Sequence, residues 1–324
     1  MKALFVIGSP LQAICAAEAV NYYGLNDYKI LVVNARLRQE QVIKVFSELQ
    51  LPCSVVNISH MFVALLKSFL KVLFCFRGKY DILFMGDYRN ITAKNVYLPY
   101  VKNKGKVVYL DDGNYILVHA EGKLKIQSIY RFLNHLFTLG SKVRGVSINN
   151  YFTIYADELN CPSWNLEKNN FNSLHCSSII QGKKVYVIGT NTISYCEYLG
   201  LRVESFLLKQ QDLFEYIKNT HCGCDIIYVP HGRDLCKENE ESCRRNGIFF
   251  TPTDKCVELY ITKQNDLPIA IYGYTSTALF TLRIMLPNIP IFNVFFSGNN
   301  KDGVKNYNSI SDTYNSKGIP TIRM

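Results

Sequence analysis

Short apolar runs that end abruptly in glycine or small polar residues, separated by stretches with helical spacing, most restrict the fold open to this 324-residue chain. One series comprises Lys2–Ile7, Lys29–Val33, Cys53–Val56, Asp81–Met85 and Val107–Leu110, with helices expected over 13–23, 36–49, 61–76 and 92–100. Runs this short and this continuously apolar fit strands covered on both faces, and their alternation with helices specifies a parallel sheet. A hairpin strand is expected at 115–119 and a helix near 125–139. A second series then begins with strand Lys184–Ile188, a strand near 203–207 and a helix over 210–219. It continues with strand Asp225–Val229, the run Phe249–Pro252, a helical segment at 254–261 and strand Pro268–Tyr272 leading into another helix. Between the series, Ala156–Gln181 has little periodicity and holds the sole tryptophan, Trp164, which suits an interdomain linker. The expected division is therefore a domain at 1–155, a linker at 156–181 and a second domain at 182–324. The stretch after residue 295 carries no assignment.

In open α/β sheets, ligands bind just beyond the carboxyl ends of the strands. The strand Val107–Leu110 runs directly into Asp111, Asp112 and Gly113. Adjacent carboxylates oppose each other's ionisation, so one of them could serve as a base near neutral pH, although an ordinary Asp-Gly turn accounts for the same residues. Asp87 and Arg89, after Gly86, occupy an equivalent strand end and suit either a cleft wall or a solvated loop. Ser9 is an expected N-cap with Pro10 at the first helical position, and the helix amino end it opens favours anions or polar sugar groups. In the second half, His231 lies between Pro230 and Gly232, where it could donate to a phosphate or protonate a departing oxygen. Gly273 precedes Thr275, Ser276 and Thr277, whose hydroxyls at a helix start make a phosphate cradle. A turn histidine held by backbone and a routine Ser/Thr cap remain the structural alternatives.

The formal net charge of +10 and pI of about 9.0 favour an anionic partner or substrate. The cations are dispersed and form no continuous stripe, which argues against nucleic acid. Eleven cysteines, scattered and odd in number behind a start that lacks a secretory pattern, are expected to be reduced thiols in the cytoplasm. Cys222 and Cys224 beside His221 lack a second pair at zinc-ligand spacing, so no metal is expected there. Walker, Gly-x-Gly-x-x-Gly and Asp-x-Asp patterns are all missing, and a metal-free mechanism without a bound cofactor is preferred. The 61–76 segment reads as an amphipathic helix. Its apolar face suits core packing first, while Lys67 and Lys71 on the polar side, followed by Arg77 and Lys79, would suit peripheral contact with the inner face of the cytoplasmic membrane.

Four short motifs in order resemble the bacterial sialyltransferases of glycosyltransferase family 52. They are Gly8-Ser9-Pro10-Leu11-Gln12, Leu110-Asp111-Asp112-Gly113, Tyr228-Val229-Pro230-His231-Gly232-Arg233-Asp234 and Tyr274-Thr275-Ser276-Thr277-Ala278. The resemblance extends over about residues 2 to 295. It implies a GT-B fold, in which two Rossmann-like doubly wound parallel-sheet domains face a central cleft. It also implies a CMP-sialic acid donor and metal-independent inversion at the anomeric carbon. By that resemblance Asp112 is the general base for the acceptor hydroxyl, and His231 binds the CMP phosphate and serves as the acid. Ser276 and Thr277 hold the same phosphate, Glu258 receives the ribose hydroxyls, and Gly189, Thr190 and Gly273 approach the nucleotide. Ser9, Gln12, Asp111, Asp87, Arg89 and Arg233 are expected on the acceptor side or in the cleft. The related pattern often has proline directly after the histidine, where this chain has Gly232. A bacterial surface glycan, capsule or lipooligosaccharide, is the implied acceptor, and a homodimer is an assembly to test. Two alternatives stay open: another CMP-activated keto-acid sugar (legionaminic, pseudaminic or Kdo), and a nonenzymatic polysaccharide-assembly protein.

Overall fold

The computed structural model describes residues 1–33, 38–56, 78–86, 90–114, 116–117, 135, 137, 139–174 and 182–324. The chain divides into two compact units, Met1–Ser173 and Leu174–Met324.

In the first unit the strands are β1 (Lys2–Ile7), β2 (Asp27–Val33), β3 (Cys53–Val56), β4 (Tyr80–Met85), β5 (Val101–Leu110), β6 (Ser147–Thr153) and β7 (Asn165–Lys168). They form one sheet in the order β3-β2-β1-β4-β5-β6-β7, with every pairing parallel. The order reverses between β1 and β4, which is the topological switch of a doubly wound sheet. Helices α1 (Pro10–Tyr22), α2 (Gln39–Glu48) and α3 (Ile91–Tyr97) belong to this unit. The central strands are buried along nearly their whole length, as their apolar runs require, and Phe5 of β1 stacks on Phe84 of β4 at 4.3 Å.

The second unit repeats the plan. Its strands are β8 (Lys184–Ile188), β9 (Asp225–Val229), β10 (Phe249–Phe250), β11 (Ala270–Gly273), β12 (Ile291–Phe295) and β13 (Thr321–Arg323), ordered β10-β9-β8-β11-β12-β13 and again all parallel. The switch point lies between β8 and β11. The helices are α4 (Thr192–Leu199), α5 (Val203–Thr220), α6 (Glu238–Arg245), α7 (Val257–Thr262), α8 (Thr277–Met285) and α9 (Lys301–Ser316). Two all-parallel doubly wound sheets is thus the architecture expected from the alternation of runs.

Several local expectations need correction. The segment near 203–207 is the first turn of α5, not a strand. Phe206, Gln210, Leu213, Phe214 and Ile217 recur at three- and four-residue spacing on its buried face, and that period overrides the strand-like composition of the first turn. Ile116 and Leu117, expected in a hairpin strand, are helical. The linker expected over 156–181 contributes β7 to the edge of the first sheet. Trp164 stacks on Tyr151 at 4.0 Å, and the Ser173 amide donates to Glu18 of α1 at 3.1 Å, so the first unit runs to Ser173. A four-residue edge strand half open to solvent carries no apolar signature, which is why its composition resembled a loop. Strand β6 was not anticipated because three of its seven residues are Asn or Ser. The unassigned end of the chain forms α9 and the last strand, β13. Residues 57–77, 87–89, 118–134 and 175–181 lie outside the described residues, and with them the 61–76 helix, Asp87 and Arg89. No helix among the described residues is long and apolar enough to cross a membrane. The nine described cysteines all carry free thiols.

Candidate functional site

In the first unit the expected polar residues gather at the carboxyl ends of three adjacent strands, β1, β4 and β5. Helix α1 starts where β1 stops. Ser9 is its N-cap, with Pro10 at the first position, and its hydroxyl accepts from the Gln12 amide at 3.4 Å. The Gln12 side chain then turns back toward the sheet. Its Oε1 accepts from the Gly8 amide at 2.7 Å, which leaves Nε2 to donate to Oδ1 of Asp112. Ser9 Oγ lies 3.4 Å from the same carboxylate oxygen. A side chain on Gly86, at the end of β4, would overlap the Gln12 amide, so the absence of a Cβ there makes room for this bridge. The chain after Asp112 turns through Gly113 at φ 111, a conformation that L side chains rarely adopt.

The two neighbouring carboxylates have different surroundings. Asp111 is 1% exposed; its Oδ1 accepts from Thr153 Oγ1 at 2.5 Å and its Oδ2 from the Ile154 amide at 2.9 Å. It therefore ties the end of β5 to the end of β6. Burial raises its pKa to about 7, against the two donated hydrogen bonds, and the Asp112 charge adds to the rise. Asp112 is only partly buried and faces α1. Of the pair, Asp112 is the more accessible, whereas Asp111 is a buried tie between strands.

The raised pKa of Asp111 makes a stability prediction whose sign is fixed. In the unfolded chain this carboxyl releases its proton near 3.8, while the fold retains it to about 7. Its contribution is complete below the lower value and is lost as pH rises through the upper one. Asp111→Asn cannot titrate. The stability of the wild type relative to this variant should therefore decline between about pH 4 and pH 7 and then level off, by on the order of 4 kcal/mol. Urea unfolding of both proteins across this range measures it. A difference that stays flat would contradict a buried, proton-retaining Asp111.

In the second unit the residues collect at the ends of β9, β8 and β11, also three adjacent strands. Gly189 follows β8, and its amide donates to Val229 O at 2.8 Å; a Cβ there would lie 2.6 Å from the Tyr228 hydroxyl and 3.1 Å from Pro230 Cα. The lack of a side chain lets Gly189 and Thr190 pass beside the Pro230–His231 turn. His231 Nδ1 accepts from the Arg233 amide at 3.2 Å, so a neutral ring carries its proton on Nε2, the tautomer that can donate to an anionic oxygen. Arg233 itself is exposed.

What fixes this turn is Asp234, which the motif contained but which was not expected to matter. Its Oδ1 accepts from the Thr192 amide at 3.2 Å, at the start of α4, and from the Cys236 amide at 3.3 Å. Its Oδ2 accepts from Thr192 Oγ1 at 3.0 Å and from Asn239 Nδ2 at 2.7 Å. Gln210 of α5 donates in turn to Asn239 Oδ1 at 3.2 Å, and Thr192, Gln210 and Asn239 are all fully buried. The only sequence cue was a polar Asn239 and a polar Gln210 on otherwise core-facing helix positions.

Ser276 is the N-cap of α8, accepting from the Ala278 amide at 3.3 Å, and its carbonyl accepts from the buried Tyr314 hydroxyl of α9 at 2.8 Å. Thr275, before it, holds φ at 44, uncommon for a β-branched residue. Its amide donates to Asn293 at 2.8 Å, and Asn293 in turn donates to Ser311 and Thr321. Gly273 ends β11 between Ile188 and Leu279, whose atoms would lie 3.2 and 3.0 Å from a Cβ. Thr277 is the first residue of α8. Glu258, 6% exposed, accepts from Thr281 Oγ1 at 3.2 Å, one turn along α8 from Thr277. His221, beside Cys222 and Cys224, is engaged at 2.9 Å with the Tyr272 hydroxyl.

Solved structures of similar fold match nearly the whole chain. An α/β-galactoside α-2,3-sialyltransferase from the luminous marine bacterium Photobacterium phosphoreum superposes with a TM-score of 0.57 at 14% identity, over 99% of this chain and 98% of that one. The fold is of the GT-B type. Two further GT-B-type neighbours are UDP-N-acetylglucosamine 2-epimerases. The putative enzyme of Listeria monocytogenes has a TM-score of 0.52 at 10% identity, covering 98% and 89% of the two chains. That of Neisseria meningitidis, bound to UDP-GlcNAc, has a TM-score of 0.51 at 13% identity, covering 98% and 91%. No protein-family model and no curated sequence matches the chain. At these identities the likeness shows the GT-B fold, and the chemistry must be argued from the residues.

Proposed function

We propose that this chain is a metal-independent, inverting sialyltransferase that moves sialic acid from CMP-sialic acid to a hydroxyl of a bacterial surface glycan. The observation that carries the proposal is the held carboxylate: Asp112, at the carboxyl end of β5 and braced by Gln12 and Ser9, beside an Asp111 that is buried and otherwise engaged. A sugar hydroxyl is a weak nucleophile at neutral pH. In this reading Asp112 takes its proton as the oxygen attacks the anomeric carbon. The bond from that carbon to the CMP phosphate breaks, and its electron pair leaves on the phosphate oxygen. His231, through Nε2, donates to that oxygen, and the start of α8 at Ser276 and Thr277 receives the phosphate charge. Glu258, Gly189 and Thr190 contact the nucleoside, and Arg233 borders the sugars. In this reading the enzyme works on the cytoplasmic side of the membrane.

The whole-chain likeness to a sialyltransferase supports the reaction class, and the likeness to UDP-GlcNAc 2-epimerases favours a second reading as a UDP-sugar enzyme. Thermal melting with each nucleotide separates them. Saturating CMP should raise Tm by several degrees, since a ligand held only by the folded state at about 100 times its Kd stabilises by about 2.7 kcal/mol. CMP-sialic acid with a galactoside acceptor should then yield CMP and sialoside. A shift with UDP but not CMP would favour the epimerase reading, CMP release from only another CMP-keto-acid would change the sugar, and no shift with either would indicate a nonenzymatic assembly protein.

A further inference from the structure

The first unit carries most of the chain's positive charge, 20 Lys and Arg against 12 Asp and Glu in Met1–Ser173. Part of that excess is built into one surface, at the amino ends of the strands and so at the opposite end of the sheet from Asp112. Between β4 and β5 the register jumps: Tyr80 pairs with Val101 but Ile82 pairs with Lys106. Lys102, Asn103 and Lys104 therefore swell out of the sheet as exposed residues, with Lys104 at φ 60. The turn after helical residues 139–143 locks onto this bulge. The Lys104 amide donates to Arg144 O at 2.9 Å, Arg144 Nε donates to Asn103 Oδ1 at 3.2 Å, and the Arg144 guanidinium also reaches Val101 O. The Lys79 amide donates to Tyr100 O at 2.8 Å, which brings a further cation to the same rim.

Among the described residues Lys79, Lys104 and Lys142 have no carboxylate partner, while Asp81 pairs with Lys102 at 2.8 Å. The helical residues that lead into Arg144 carry an apolar tip. Val143 is 88% exposed and Leu139, one helical turn before it, is 45% exposed. Single exposed apolar residues are ordinary. A pair on one helix face, flanked in sequence by Lys142 and Arg144 and joined through Arg144 to a bulge that bears Lys102 and Lys104, has the chemistry of the boundary between lipid headgroups and acyl chains.

We infer that the rim formed by Lys79, Lys102, Lys104, Lys142 and Arg144 around Val143 docks on an anionic lipid bilayer. The cations meet the headgroup phosphates and Val143 enters the acyl boundary, while the carboxyl-end residues of the same sheet stay clear of the contact. This inference does not depend on the reaction proposed above, because binding is read without turnover.

Sedimentation with vesicles of phosphatidylcholine alone, and of phosphatidylcholine mixed with phosphatidylglycerol, tests it. The wild type should bind only the anionic vesicles and be released by salt, since exposed charges are screened within about 10 Å at 0.1 M. Lys104→Glu with Lys142→Glu should lower the partition at least about tenfold with an unchanged melting temperature. Val143→Ser should weaken vesicle binding several-fold while leaving retention on heparin unaltered. No vesicle binding by the wild type would overturn the inference, as would wild-type binding by the double charge reversal. Loss confined to Lys67→Glu with Lys71→Glu would place the contact elsewhere and also overturn it. Wild-type vesicle binding by Val143→Ser, with heparin competing fully, would make the rim a site for a soluble polyanion instead.

Discussion

Asp112→Asn is expected to lower transfer from CMP-sialic acid by about 10²–10⁴-fold, the usual cost of losing a general base, with little change in melting temperature. Asn retains an oxygen where Oδ1 accepts from Gln12 and Ser9, so the end of β5 keeps its hydrogen bonds and loses only the ability to take a proton. The fall should appear in kcat, with donor affinity by CMP titration unaltered. Gln12→Leu should act in the same direction but less, about tenfold, because the carboxylate survives and only its orientation is released. Gly86→Ala should resemble Gln12→Leu, since its methyl would displace the same amide. Near-normal transfer by Asp112→Asn would remove Asp112 from the mechanism, and CMP binding would still report whether the nucleotide site exists.

Asp234→Ala should give the largest loss of stability among site-region variants, about 2–4 kcal/mol. One carboxylate there accepts four hydrogen bonds, from Thr192 twice and from Cys236 and Asn239. Removing it leaves the Thr192 amide, at the start of α4, and the buried Asn239 side chain short of an acceptor. The turn carrying His231 loses its anchor to α4 as well. Melting temperature should fall by several degrees, and CMP should stabilise the variant less than the wild type. Asp234→Asn keeps one oxygen and should recover part of the stability. A melting temperature within a degree of wild type for Asp234→Ala would show that the network contributes little.

The strands that form the centres of both sheets were legible because a strand covered on two faces must be apolar throughout. Lys2–Ile7, Asp81–Met85, Lys184–Ile188 and Asp225–Val229 each meet that condition over consecutive residues. Edge and polar strands escape it. Asn165–Lys168 pairs on one side only, and three of the first four residues of Ser147–Thr153 are Ser or Asn, which could sit in any loop. The α5 start was misread because a five-residue window cannot distinguish period two from period 3.6, whereas the eighteen residues of the helix do.

Local chemistry along the chain was enough to mark the strand ends: a helix cap at Ser9, two acids before a glycine, a histidine in a tight turn, hydroxyls opening α8. Each depends only on neighbours a few residues away, and chain order alone places them at the carboxyl ends of parallel strands. Which of two adjacent carboxylates is buried could not be read in that way. Thr153 and Ile154 claim Asp111 from 42 and 43 residues on, and Gln12 claims Asp112 from 100 residues back. The roles of Asp234, Asn239 and Gln210 likewise rest on distant partners: Thr192 stands 42 residues before Asp234 and 47 before Asn239, and Gln210 stands 29 before Asn239. Burial and hydrogen bonding are set by whatever the fold brings within 3 Å or so, and sequence separation does not measure that distance.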